Sequence, residues 1–142
     1  MYLIEETEYI SGLVNMASSM SSWMGYSFMD AICFKKEEYL DNFSKFHNIK
    51  KEDIKIHEVD YSLEVFIKNF FGDDKKLIEG LSYWIKRKVG NKIKIYEQDS
   101  DSKLNELLEE SIYGKTPVYT VEDVIFIEFD KTVIAFITGN NE

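Results

Sequence analysis

VIFIEFDKTVIAFIT, residues 124 to 138, holds two apolar runs, Val124-Ile125-Phe126-Ile127 and Val133-Ile134-Ala135-Phe136-Ile137, on either side of Asp130-Lys131. Short runs of β-branched and aromatic residues predict strands at 124–129 and 133–138, joined by a tight turn. A strand with one face in water alternates apolar with polar residues, whereas consecutive apolar residues mean burial on both faces. The hairpin is therefore expected at the centre of a sheet that helices cover. The rest of the chain has to supply those helices.

Working outward, apolar residues recur at helical spacing in five places. Residues 6–24 put Ile10, Leu13, Val14, Ala17, Met20 and Met24 on one face, widened by Met16 and Trp23, with Gly25 as the stop. Residues 36–48 group Tyr39, Leu40, Phe43 and Phe46, behind Glu37 and Glu38 in a first turn whose dipole favours acids. Ser62 is placed to cap a helix carrying Leu63, Phe66, Ile67, Phe70 and Phe71, which Gly72 ends. Asp73 or Asp74 caps the next, with Leu77, Ile78, Leu81, Trp84 and Ile85 facing the core and Lys86-Arg87-Lys88 at the negative end. Ser102 opens a helix with Leu104, Leu107, Leu108 and Ile112, stopped by Gly114. Strands are expected at 26–34, 54–59 and 92–97, and GNNE after Thr138 reads as an exposed tail. The order αβαβααβαββ predicts a single α+β domain over residues 1–142: a mixed sheet of about five strands with a C-terminal antiparallel hairpin, packed by about five helices.

The 142-residue chain is long enough to bury a core without metal or disulfide staples. Aromatics at 15% and hydrophobics at 44% exclude a disordered chain, despite 30% charged residues. The lone cysteine, Cys33, lies in the apolar run Ala31-Ile32-Cys33-Phe34 and reads as a buried, inert thiol. A net charge of −9 disfavours a phosphate-backbone binder and an anionic membrane surface. The opening MYLIEETEY has no basic region of the kind a signal peptide needs, which points to a soluble, cytoplasmic protein. Arginine occurs once, at Arg87, among seventeen Lys and Arg residues; such usage is associated with AT-rich bacterial or phage genomes.

From Tyr9 to Met29 no side chain is charged at neutral pH, the only titratable ones being the phenols of Tyr9 and Tyr26. The stretch is about as long as a membrane span, but Ser11, Gly12, Asn15, Ser18, Ser19, Ser21, Ser22, Gly25 and Ser27 make unaided insertion unfavourable. Opposite the apolar stripe of the first helix lie Ser11, Asn15, Ser18 and Ser22, small and neutral where a solvated face carries Lys and Glu. With Trp23 and Met24 they form a candidate protein-binding face, because Met and Trp suit adaptable contact surfaces.

Reactive constellations are scarce. There is no phosphate loop, dinucleotide fingerprint, nucleophile elbow or zinc spacing. His47 and His57 are the only histidines, one on an apolar helix face and one in an alternating strand, and both read as structural or surface residues. The sequence thus offers no catalytic, cofactor-binding or metal-binding residue. Charge is more telling. Lys86, Arg87, Lys88, Lys92 and Lys94 precede an acidic run, Glu97, Asp99, Asp101, Glu106, Glu109 and Glu110, broken only by Lys103. A basic patch beside an acidic one is a poor nucleic-acid footprint. Glu106, Glu109 and Glu110 instead form a candidate face for a basic protein partner such as a toxin or nuclease. The function expected is a non-enzymatic inhibitor or immunity-type protein acting by stoichiometric binding. The alternatives are a small enzyme or ligand-binding domain with a pocket between sheet and helices, and a homo-oligomeric structural module, such as a homodimer, joined through the neutral helix face.

Overall fold

The computed structural model describes residues 1–21, 26–113 and 119–141. It contains α1 (Ile4–Met20), β1 (Phe28–Lys35), α2 (Tyr39–His47), β2 (Ile56–Val59), α3 (Leu63–Phe71), α4 (Lys75–Val89), β3 (Lys92–Gln98), α5 (Leu104–Tyr113), β4 (Tyr119–Phe129) and β5 (Thr132–Asn141). The strands form one sheet in the order β1-β5-β4-β3-β2. Every pairing is antiparallel, where a mixed sheet was expected from the element order. The fold is α+β with the β4–β5 hairpin at its C-terminus and centre.

Burial on both faces of the hairpin follows from its apolar runs. Ile125, Ile127, Phe129, Ile134 and Phe136 point to one side, where they meet Ile10, Val14 and Ala17 of α1, Phe66 and Ile67 of α3, and Leu81 and Ile85 of α4. Val124, Phe126, Val133, Ala135 and Ile137 point to the other, against Phe43 of α2 and Leu104 and Leu108 of α5. The sheet is thus the middle of three layers. Among the described residues no helix is long and apolar enough to cross a membrane.

Local chemistry explains most element ends. Ser62 accepts from the Val65 amide and Asp74 from the amides of Lys76 and Leu77, as their capping positions require. Gly90, at φ 93°, lets the chain turn from α4 into β3, and a side chain there would collide with Asp130.

Several boundaries differ from the sequence reading. Helix α1 ends at Met20, where Ser21 turns extended and its hydroxyl donates to the Phe71 carbonyl at 2.6 Å; Gly25 lies outside the described residues, as does Gly114. Glu38 adopts a left-handed conformation (φ 59°), so α2 starts after it and Asp41 is the acid in its first turn. A turn of 3-10 helix at Lys51–Asp53 delays β2 to Ile56. Trp84 and Met20 stay 43% and 63% exposed, because α4 turns Ser82 and Val89 inward and α1 buries only Ile10, Val14 and Ala17 fully. Residues 139 to 141 are no tail. Gly139 pairs with both Phe28 of β1 and Val121 of β4, and β5 runs to Asn141.

Candidate protein interface

The acidic end of the molecule is assembled around α5. Ser102 Oγ accepts from the Leu104 amide at 3.1 Å and donates to Gln98 Oε1 at 2.8 Å, tying the helix start to the end of β3. Leu104 and Leu108 anchor the helix under the sheet. Strand β4 begins before β3 can accompany it: the β3–β4 register runs from Lys92↔Phe129 to Glu97↔Ile125. The backbone of β4 upstream of that register needs other partners. α5 supplies them. Glu109 Oε1 accepts from the Val121 amide at 3.0 Å, and Asn105 Nδ2 donates to the Glu122 carbonyl at 2.9 Å. Asn105 Oδ1 also accepts from Gln98 Nε2 at 2.7 Å, so α5, β3 and β4 form one hydrogen-bonded corner.

That corner crowds negative charge. A cleft of about 210 Å³ is lined by Glu97, Gln98, Glu122 and Asp123 among others. Asp123 accepts from Thr138 Oγ1 at 3.0 Å, yet its carboxyl is pushed up by burial and by the charges of Glu122 and Glu97. The Tyr61 hydroxyl donates to Glu97 Oε2 at 2.6 Å, and burial with this carboxylate raises the phenol. Glu106 and Glu110 stand exposed on the neighbouring helix. Among the described residues none of Glu97, Glu106, Glu110, Glu122 and Asp123 has an ion-pair partner.

The basic run is the reverse. Lys86 pairs with Glu64 at 2.9 Å, Lys88 with Glu5 at 3.0 Å and Lys94 with Glu58 at 3.8 Å. Lys92 Nζ donates to the Tyr61 carbonyl at 3.5 Å and Arg87 to the Tyr83 hydroxyl at 3.4 Å. These cations are engaged within the protein, which leaves little positive field for phosphate.

The nine residues singled out from sequence do not form one surface. Ser22, Trp23 and Met24 lie outside the described residues. Ser11 and Ser18 are half-buried and bonded to the chain itself, to the Ala31 carbonyl at 3.2 Å and the Tyr26 hydroxyl at 3.1 Å; Asn15 is exposed. Glu109 is occupied by Val121, whereas Glu106 and Glu110 are open to solvent. α1 and α5 sit on opposite faces of the sheet, so the two groups are separate. The sequence reading missed Glu122 and Asp123. They precede the apolar run as a polar break, but only the strand pairing brings them to Glu97.

The catalytic possibilities are thin in the described residues. His57 Nδ1 and Asp99 Oδ1 are 2.7 Å apart at the exposed edge strand β2, and no serine hydroxyl bonds to that imidazole. Cys33 is fully buried, and burial pushes its thiol up to about 12, which keeps it inert as a nucleophile. No group of three or more His, Cys, Asp or Glu side chains among the described residues is arranged to hold a metal. No family model, curated protein or solved structure matches the chain.

Proposed function

We propose that this chain is a non-enzymatic protein-binding module, of the inhibitor or immunity type, that neutralises a basic partner by stoichiometric contact in the cytoplasm of a bacterial or phage-infected cell. One observation carries the reading: the cations of the basic run are engaged internally, while Glu97, Glu122 and Asp123 line one cleft at the hydrogen-bonded corner with no ion-pair partner among the described residues, and Glu106 and Glu110 stand exposed on α5. Crowded carboxylates on a rigid frame attract a basic surface, speed its approach and relax their own repulsion when it docks.

The test is capture from native lysate with the wild type and with Glu106→Lys/Glu110→Lys/Glu122→Lys, followed by light scattering of the complex. Glu109 is left alone because its carboxylate holds β4. The expected partner is basic, binds in a fixed ratio, and is lost on charge reversal and at high salt. Capture indifferent to both salt and charge reversal would overturn the reading.

A ligand-binding domain is favoured by a different feature, an open cleft of about 820 Å³ between the C-terminal end of α2 and α5, lined by Asn48, Lys50, Asp53, Leu107, Glu110 and Ser111 among others. It lies outside the helices and not between them and the sheet. Specific binding of a small molecule there, unaffected by the charge reversal at Glu122, would favour that alternative.

A further inference from the structure

We propose that His47 is an acid-sensitive latch: the α2–α5 layer stays on the sheet while this imidazole is neutral and is released when it takes a proton. His47 is the last residue of α2 and only 4% exposed. Its ring stacks edgewise on Phe43 and Phe46, with centroids 4.5 and 4.8 Å away. Among the described residues its Nε2 has no hydrogen-bond partner, and its carbonyl accepts from Ser111 Oγ of α5. The residue is therefore the joint between the two helices of this layer.

A proton on Nε2 would create a cation among phenyl rings with no acceptor, which burial makes unfavourable. The C-terminal end of a helix ordinarily favours a protonated histidine. Burial wins here and lowers His47 from 6.5 to about 4. The charged groups on the elements around it do not offset this. They are Asp41 and Lys45 on α2, Asp30 and Lys35 on β1, Lys50, Lys51, Glu52 and Asp53 on the following turn, and Glu106, Glu109 and Glu110 on α5; none of them accepts a hydrogen bond from Nε2.

Released helices bind the proton near 6.5, whereas the docked ones do so only near 4. Docking is therefore complete above pH 6.5 and weakens as pH falls toward 4. Between pH 7.5 and 4.5 the opening equilibrium rises by roughly seventyfold. The opposite layer, α1, α3 and α4, belongs to a separate apolar cluster and has no part in this joint.

Residue-resolved hydrogen exchange on the full chain at pH 7.5 and 4.5 tests the latch, with protection corrected for intrinsic rates. Protection in residues 39–47 and 104–111 is expected to fall by that factor relative to residues 75–89, and His47→Phe is expected to abolish the difference. Equal losses in both layers, or unchanged protection in α2 and α5, would overturn the proposal. Should the variant fail to fold, the wild-type imidazole decides: a His47 proton signal titrating well below 6.5 supports the latch, and one titrating at 6.5 or above refutes it.

Discussion

The hydroxyl of Thr7 accepts a 2.9 Å hydrogen bond from the backbone amide of Cys33, taking the place of a strand that β1 lacks on its outer side. Ser11, one helical turn on, donates to the Ala31 carbonyl, and the Leu3 amide donates to the Cys33 carbonyl. Residues four apart on a helix rise about 6 Å, close to the roughly 6.8 Å between alternate strand residues, so short polar side chains at this spacing can serve a free strand edge. Asn105 and Glu109 of α5, also four apart, bond the consecutive residues Glu122 and Val121 of β4, where the register with β5 shifts. Exposed strand edges invite pairing with other chains, and both helices block one.

Replacing Thr7 with valine keeps the shape and removes the acceptor. The Cys33 amide is then buried without a partner, and the expected loss is about 1–3 kcal/mol. Urea midpoints of the two proteins measure it. Ser11→Ala is expected to cost about 1 kcal/mol.

Phe126 and Phe136 are buried on opposite faces of the central hairpin. Truncating either to alanine is expected to cost about 3–5 kcal/mol in denaturant unfolding. An unchanged midpoint would contradict the central place of the hairpin in the core.

A methyl group at Gly139 would meet the Thr120 carbonyl oxygen and the Phe28 ring. Gly139→Ala is therefore expected to destabilise by about 1–3 kcal/mol, the usual range for overpacking. Deleting residues 139–142 is expected to lower the melting temperature, since it strips the end of a strand paired on both sides. A deletion that melts like the full chain would return these residues to the role of a tail.

On α1, Ser18→Arg and Asn15→Arg are expected to part company. Ser18 is half-buried beside Tyr26, so the arginine disrupts packing and its hydrogen bond, and thermal melting should show a loss. Asn15 is exposed, and the change there is expected to stay within about 0.5 kcal/mol. Should partner capture be lost with Asn15→Arg at unchanged stability, the exposed part of the neutral face belongs to the interface as well.

The amino-acid sequence by itself determined the elements whose causes are local or periodic. The hairpin was legible because burial on both faces leaves consecutive apolar residues at 124–127 and 133–137. The cap at Ser62, and one at Asp73 or Asp74 that the fold places at Asp74, were legible because donor and acceptor lie within three residues. Tertiary structure alone decided the strand order, the extension of β5 past Thr138 and the offices of the polar residues. Ser11 and Glu109 carry no mark separating a surface residue from one that holds a strand edge, because their partners are 20 and 12 residues away. Glu97 and Asp123 become neighbours only through the β3–β4 register, and His47 is tied to α5 only through Ser111, 64 residues away. A polar side chain takes its role from what the fold places opposite it, and that placement is set by the packing of distant apolar residues.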